Sequence, residues 1–322
     1  MIYAVRSPGF LSTSSVPPAV PRVEPGGSAP SLRARLSGSA VAGLLGVLGK
    51  VDPDRLGAIG AALARLVGPL LPAHRIGRDN LRAAYPNADP AWIRATLRAA
   101  WDNLGRVGGE YAGLDRLWDF DPDHPGTGRI EIADGDAVAT LLAVERPALI
   151  FTAHLANWEL AAVAAKALGL PAAAVYRMPN NPLAAAAIAR IRGKLMGTLI
   201  RTRPQAGLEM AAALRRGESV GMLVDQRFGR GVDVTFFGRD CTANPSLARL
   251  ARRFESPVFG VRVIRLPRGR FRLALTGPVA LPRDAEGRID VPAATQTITA
   301  IVEGWIRENP GQWLWFHRRW RR

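Results

Sequence analysis

A histidine and a glutamate that stand five positions apart have the residue types and the spacing for acid–base chemistry. His154 follows the apolar run 148–152, which is typical of a buried strand, and Glu159 stands near the start of the helix predicted after it. On one continuous helix their side chains would point about 140° apart. They can meet only if His154 lies in the loop and Glu159 in the first helical turn, and Asn157 as the helix cap predicts this arrangement.

Such a pair would make His154 a general base. A carboxylate that accepts a hydrogen bond from one imidazole nitrogen fixes the tautomer and leaves the other nitrogen free to take a proton. No Gly-x-Ser-x-Gly motif supplies a serine nucleophile, and Cys241, the one cysteine, has no histidine near it in the sequence. We therefore expect His154 to deprotonate a substrate hydroxyl that attacks an acyl donor directly. The alternative is a structural histidine after a strand, and spacing alone does not separate the two.

The elements that must position this pair are strands and helices that alternate from residue 146 onward. This alternation predicts right-handed crossovers and a largely parallel sheet flanked by helices. Ligands of such sheets bind beyond the carboxyl ends of the strands, where His154 stands. A Gly-rich loop is predicted over 228–238. The predicted strands cover 148–152, 172–176, 198–202, 220–224, 258–266 and 271–275, and the predicted helices cover 157–168, 182–196, 205–216, 245–254 and 293–308.

The first third of the chain is predicted to be helical. Residues 40–48 and 56–71 are apolar, and a further helix is predicted over 89–111. In the second stretch, apolar side chains recur at helical spacing and form one stripe. Such a stripe either packs on a core, which is the first expectation, or lies on a bilayer surface. This apolar stripe consists of Leu56, Ile59, Leu63, Leu66 and Leu70.

Composition divides the chain into three regions. Residues 1–31, rich in Pro, Ser, Gly and Val, are predicted to be a disordered leader and not a signal peptide. Residues 32–116 are the helical region, for which membrane association is expected, and residues 117–322 are the α/β core with its tail. The sequence has no run of about 18 or more uncharged apolar residues, so attachment to the membrane is expected to be monotopic or peripheral.

The charge of the chain is unusual. Lys and Arg number 43 against 27 Asp and Glu, a net charge of +16, and only three of the cations are lysines. A field of this sign attracts phospholipid surfaces, phosphorylated glycolipids, acidic carrier proteins or nucleic acid. The alternative explanation for part of the excess of arginine is a codon bias, which would carry no function. The tail 313–322 combines tryptophans with arginines, which suits the headgroup layer of an anionic bilayer.

Five blocks of residues, in order, resemble the bacterial lipid A biosynthesis acyltransferases, the late lauroyl and myristoyl transferases. The His-x4-Glu motif alone is weak, because glycerolipid acyltransferases share it, but five ordered blocks are specific. The family more often has glycine at the positions of Ala153 and Ala156. The blocks are Arg78-Asp-Asn80-Leu81 with Tyr85-Pro86, His154-Leu-Ala-Asn157-Trp158-Glu159, Val175-Tyr176-Arg177 with Asn181-Pro182, Val224-Asp225-Gln226 with Val234-Thr-Phe-Phe-Gly238, and Trp313-Leu-Trp-Phe-His317-Arg-Arg319.

The resemblance implies an α/β fold like that of the glycerolipid acyltransferases, with a mostly parallel mixed sheet flanked by helices and a helical N-terminal region. It implies transfer of a fatty acyl chain from acyl carrier protein to a hydroxyl of a lipid A precursor, without a cofactor or a metal. Acyl carrier protein, an anionic glycolipid and the cytoplasmic face of the inner membrane are then the expected partners, and no nucleic acid is expected. His154 would be the base and Glu159 would orient it. The substrate-binding residues would be Arg177, Asn181, Arg190, Arg192, Asp225 and Gln226, with Arg190 the better motif match of the two helical arginines.

Two other functions stay open at this point. One is acylation of another glycolipid or of a lysophospholipid on the same fold. The other is a basic protein without catalysis that binds membranes or nucleic acid through its tail. The non-catalytic hypothesis predicts that His154→Ala leaves the function intact and that removal of the tail arginines abolishes it, whereas the enzyme hypothesis predicts the reverse.

Overall fold

The computed structural model of the protein describes residues 50–178 and 182–320, except for the side chains of 182–187. Within this part of the chain the strands are β1 (Ile130–Ile132), β2 (Leu149–Thr152), β3 (Ala172–Tyr176), β4 (Thr198–Arg201), β5 (Ser219–Leu223), β6 (Val232–Phe236), β7 (Arg239–Ala243), β8 (Val258–Leu266) and β9 (Arg270–Thr276). One sheet contains seven of them in the order β1-β9-β8-β2-β5-β3-β4, and β6 pairs with β7. All neighbours in the large sheet are parallel except β8 and β9. The prediction of a mostly parallel mixed sheet is confirmed.

Three of the described helices begin at an aspartate that caps them. Asp52, Asp89 and Asp290 each accept a backbone N–H at the start of a helix, and a proline lies in the first turn of all three. The helix predicted over 89–111 is confirmed. The described helices are α1 (Pro53–Val67), α2 (Pro72–Ala84), α3 (Pro90–Glu110), α4 (Gly135–Leu142), α5 (Glu159–Ala167), α6 (Pro182–Leu195), α7 (Ala206–Arg215), α8 (Ser246–Phe254) and α9 (Val291–Glu308).

Strand β2 lies at the centre of the sheet. All four of its residues are buried, as expected for a strand that is covered on both faces. Its neighbour β5 runs parallel to it, with Thr152 paired with Leu223. The residues that follow these two strands therefore emerge side by side at the same edge of the sheet.

The prediction of a loop over 228–238 is wrong, because most of this segment belongs to the hairpin β6–β7. Apolar side chains alternate along β6, and Val234 and Phe236 are buried. Phe237 and Gly238 form a two-residue turn with φ of 53° and 68°, the backbone that tight hairpin turns require. Neither β1 nor α4 was predicted, and α2 was predicted only as part of the helical region 32–116, without bounds of its own.

The expectation that the apolar stripe of α1 packs on a core is also wrong. Helix α1 packs on α3 through small residues, so closely that a Cβ on Gly60 would lie 2.2 Å from the carbonyl oxygen of Gly105. Of the stripe only Leu56 is buried. The exposed members, which we call the leucine stripe, are Ile59, Leu63, Leu66 and Leu70.

No single helix in the described ranges has the length and apolar character needed to cross a membrane. The segments Pro53–Leu70 and Pro72–Ala84 pass that test of length and composition only as a pair, and they are bent by 86°.

Candidate active site

His154 and Asp225 meet at the carboxyl-terminal edge of the sheet. His154 lies two residues beyond β2 and Asp225 two residues beyond β5, so the parallel pairing of these strands brings them together. The imidazole Nδ1 lies 2.8 Å from Asp225 Oδ1. The carboxylate also accepts the backbone N–H of His154 at 2.8 Å and the indole N–H of Trp313 at 2.7 Å. These donors hold the carboxylate in place and leave Nε2 of the imidazole as the free nitrogen.

Asp225 stays ionised although its side chain is fully buried. Burial raises the pKa of this carboxyl, but the charge of His154 and its hydrogen bonds outweigh that effect and hold the pKa well below its usual range. A buried anion beside an imidazole stabilises the imidazolium that forms when the ring takes a proton. The pair therefore has the charge distribution of a general base.

The predicted pairing of His154 with Glu159 is wrong. The Glu159 carboxylate accepts two hydrogen bonds from Arg192, from Nε at 3.0 Å and from Nη2 at 2.5 Å, and a third from the Trp158 indole at 3.0 Å. The local chain explains the error, because α5 begins at Glu159 with Trp158 as its cap residue. Asn157 does not cap the helix, since its amide donates to Glu110 at 2.9 Å.

Arg192, and not Arg190, is the arginine at this edge. Its side chain is 13% exposed, and its guanidinium lies 5.4 Å from the centre of the Tyr176 ring and 6.0 Å from that of Tyr111. Arg190 is exposed. Residues two positions apart on a helix lie on different faces, so Arg190 points away from the site when Arg192 faces it. Burial, and then the nearby charge of Glu159, raise the pKa of the Tyr111 hydroxyl, so it stays protonated beside this ion pair.

Of the other expected site residues, Arg177 and Gln226 lie at the same edge of the sheet as His154. Arg177 follows β3 at the same edge and is exposed, and Gln226 is half-buried next to Asp225. Asn181 lies outside the described residues. Sequence reasoning missed Tyr111 and the contact from Trp313 to Asp225, although the tail motif that contains Trp313 was available as a signal.

The described part of the tail, residues 313–320, packs into the fold beside the site with only Arg318 exposed, contrary to the expectation of a bilayer-facing segment. Trp313 and Trp315 are among the most deeply buried side chains of the described part of the chain. The backbone N–H of Leu314 donates to the carbonyl of His154 at 3.1 Å, which fixes the loop that carries the base. Arg319 is buried and donates to the carbonyl of Thr242 at 3.0 Å.

A second imidazole lies near Asp225 but is not a base. Burial lowers the pKa of His317 to about 4, against the attraction of Asp225, so this ring is neutral at pH 7. Its Nδ1 lies 2.8 Å from the carbonyl oxygen of Leu314, to which it donates. His317 therefore supports the tail, and proton transfer is left to His154.

A buried polar network holds the loop after His154 from below. Glu110 is 2% exposed and forms an ion pair with Arg265, whose Nε donates to Asn103 at 3.0 Å. The Asn103 amide donates to the carbonyl of Ala156 at 3.2 Å. Ala156 has φ of 46°, the left-handed backbone that glycine adopts most easily, at a position where the resembling family more often has glycine.

An apolar cleft begins at this edge and runs between the sheet and the two helices α5 and α6. Trp158, Glu159 and Arg192 lie at its polar end, and the Trp158 ring is 5.1 Å from the His154 ring. The apolar lining suits a hydrocarbon chain. Its apolar walls include Ala161, Ala162, Ala165, Val175, Met196 and Leu199.

No group of three or more His, Cys, Asp or Glu side chains within 50–178 and 182–320 could hold a metal ion. The reactive groups described at this edge are the imidazole of His154, the carboxylates of Asp225 and Glu159, and the guanidinium of Arg192.

The comparisons with known proteins give a family match over most of the chain. The family model described as bacterial lipid A biosynthesis acyltransferase matches residues 28–322. Comparison with the curated proteins gives no match. Among solved structures, the chain is similar to the 1-acyl-sn-glycerophosphate acyltransferase of Thermotoga maritima, with 13% identity, a TM-score of 0.37, and coverage of 81% of this chain and 99% of that one.

Proposed function

Because the chain belongs to the bacterial lipid A biosynthesis acyltransferase family, we propose that it transfers a fatty acyl chain from acyl carrier protein to a hydroxyl group of a lipid A precursor. The observation that carries the proposal is the contact of 2.8 Å between His154 Nδ1 and the buried carboxylate of Asp225. It leaves one imidazole nitrogen available at the edge of the sheet where ligands bind.

In this reaction Nε2 of His154 takes the proton of the acceptor hydroxyl as the oxygen attacks the thioester carbonyl carbon. The tetrahedral intermediate then collapses, the carbon–sulfur bond breaks, and the proton passes from Nε2 to the departing sulfur. The products are an ester and the free thiol of the carrier. Asp225 stabilises the imidazolium between the two steps, and such general base catalysis contributes roughly 10²–10⁴ in rate.

The Glu159–Arg192 pair has a positioning role in this proposal. The acyl chain lies in the apolar cleft, whose polar end Arg192 occupies. Glu159 binds two of the N–H groups of Arg192 and fixes the plane of the guanidinium. The remaining N–H groups are oriented to bind the thioester oxygen or a substrate phosphate.

The charge and the exposed apolar surface support the proposed partners. An acidic carrier protein docks on exposed arginines, and we expect that contact to weaken with salt. The leucine stripe supports peripheral attachment to the cytoplasmic face of the inner membrane, where the glycolipid acceptor is found.

The experiment is an acyl transfer assay with the purified protein. The donors are acyl carrier protein thioesters of different chain length, and the acceptors are a tetra-acylated lipid A precursor and a lysophospholipid. Wild type is compared with His154→Ala and with His124→Ala, which removes an exposed histidine that pairs only with Asp121 in the described residues.

We expect transfer to the lipid A precursor by wild type and His124→Ala, and a loss of roughly 10³-fold or more in His154→Ala. Transfer to the lysophospholipid alone would overturn the acceptor assignment and leave the base in place. Full activity of His154→Ala would overturn the mechanism.

A further inference from the structure

A large basic groove lies between α2 and α3, on the helical part of the chain. The groove has a volume of about 690 Å³, and among the described residues no carboxylate lines it. We call it the arginine groove, after the five arginines in its lining, which are Arg65, Arg78, Arg82, Arg94 and Arg98.

Four of these five arginines have no partner among the residues that the structure describes. Arg65 is held by Asp102. The other four make no hydrogen bond or ion pair with any residue in 50–178 or 182–320, whereas Arg192 and Arg265 at the sheet edge are bound by carboxylates. The Nε of Arg78 is also buried without an acceptor. A buried donor without a partner is costly, so this position calls for an acceptor that none of the described residues supplies.

The inner wall of the groove is aromatic. The Trp101 indole donates to Nδ1 of His74 at 3.1 Å, and the Trp101 ring stacks on Phe316 at 3.8 Å. Burial, and then the charge of Arg78, lower the pKa of His74, so the ring is neutral at pH 7. Guanidinium groups around an apolar wall suit a ligand that carries a phosphate on a small carbon skeleton.

The leucine stripe continues directly into the groove. Pro69 lines the groove. Its neighbour Leu70 is 82% exposed, and Leu66 is 73% exposed. A ligand whose phosphate lies among the arginines would thus have its hydrocarbon part next to exposed leucines. Free inorganic phosphate would use the first of these two surfaces and leave the second uncovered.

We propose that the arginine groove binds the phosphate headgroup of an anionic bilayer lipid whose acyl chains contact the leucine stripe. The inference builds on the proposed membrane attachment and is independent of the acyl transfer reaction. On α3 the groove residue nearest to Glu110 is Trp101, nine residues before it, which is about 14 Å along the helix axis, and Glu110 lies under the His154 loop. The groove is therefore separate from the catalytic pair and serves to anchor and orient the enzyme.

The test measures binding of the full chain to vesicles, without any acyl donor. Sedimentation is compared for phosphatidylcholine vesicles and for phosphatidylcholine vesicles with one quarter phosphatidylglycerol. The groove variant is Arg78→Gln/Arg94→Gln. Its matched control is Arg55→Gln/Arg75→Gln, which removes the same charge from exposed arginines of α1 and α2 outside the groove.

We expect the groove variant to bind the anionic vesicles about tenfold or more weakly than the control variant, and to bind the neutral vesicles equally. The variant Leu66→Ser should weaken binding to both kinds of vesicle. If Arg78→Gln/Arg94→Gln does not fold, Arg82→Gln/Arg98→Gln replaces two exposed groove arginines and carries the same expectation.

Three outcomes would overturn the inference. Equal loss in the groove variant and its control would mean that only the overall surface charge matters. Displacement of the vesicles by glycerol phosphate at the same phosphate concentration would assign the groove to a soluble anion. Normal vesicle binding by the groove variant, together with a raised KM for the acyl carrier protein thioester, would assign it to the carrier protein.

Discussion

Two buried carboxylates at the same edge of the sheet are paired with cations of different kinds. Asp225 and Glu159 are 2% and 4% exposed, and each accepts three hydrogen bonds. The partner of Asp225 is an imidazole, which can gain and lose a proton near neutral pH. The partner of Glu159 is a guanidinium, which keeps its charge at any pH at which the protein is folded. Only the first pair can carry a proton through a reaction, and the second provides a fixed charge and a fixed geometry.

The largest effect is expected at the carboxylate that serves the imidazole. In Asp225→Asn a neutral amide replaces the carboxylate that accepts three hydrogen bonds. The imidazole of His154 then loses both its fixed orientation and the negative charge that stabilises its protonated form. We expect kcat to fall by roughly 10³–10⁴ with little change in KM. The acyl transfer assay measures this, with circular dichroism as the check on folding.

The control for that variant is Asp233→Asn, which changes an exposed carboxylate on β6. It should keep the activity of wild type. Activity of Asp225→Asn within tenfold of this control would mean that Asp225 does not serve proton transfer, and that it does not differ from Glu159 in the way we describe.

The second prediction concerns stability at the fixed-charge pair. Arg192→Ala leaves the Glu159 carboxylate buried beside Tyr111 without its cation, which we expect to lower the free energy of unfolding by about 3–5 kcal/mol. Arg190→Ala, two positions away and exposed, should change it by less than about 0.5 kcal/mol. Urea unfolding of both variants checks this, and equal effects would contradict the assignment of Arg192 to the pair.

The third prediction uses pH to show that Asp225 serves one imidazole only. The pKa of His317 is lowered to about 4 in the folded chain, against about 6.5 when unfolded, so the unfolded chain binds more protons between these values. Burial of neutral His317 therefore costs no stability above pH 6.5, and the free energy of unfolding falls as the pH drops from 6.5 towards 4. At pH 5 this loss is about 2 kcal/mol.

His317→Gln removes this titration. We expect the free energy of unfolding of the variant to depend less on pH between 7 and 5 than that of wild type, while the pH profile of activity stays the same. A profile of activity that shifts with His317→Gln would mean that the second imidazole takes part in proton transfer.

Local elements of the fold were predictable from the sequence because they depend on nearby residues. Strands β3 and β8 were predicted with the observed bounds, since apolar runs there are bordered by glycine and proline. The three-residue strand β1 and the hairpin in 228–238 were not, because β1 carries too few residues for a period and the hairpin turn begins with Phe237.

The site was predictable only in part, for a physical reason. His154 and Asp225 were both identified as site residues. The partner of His154, however, was sought among its neighbours in the sequence and was wrongly predicted to be Glu159. The hydrogen bond goes to a residue 71 positions away, because β2 lies next to β5 in the sheet. The order of parallel strands depends on how whole helices pack on both faces, and a single sequence does not reveal it.

The last prediction concerns the loop that separates the two pairs. Ala153 and Ala156 are both buried, and they differ in backbone, since only Ala156 has a positive φ, of 46°. Each substitution to glycine loses one buried methyl group and gains chain entropy in the unfolded state, but only Ala156→Gly relieves a left-handed alanine. We therefore expect Ala156→Gly to be more stable than Ala153→Gly by about 1–2 kcal/mol in urea unfolding. Equal stability of the two variants would mean that the turn after His154 carries no strain.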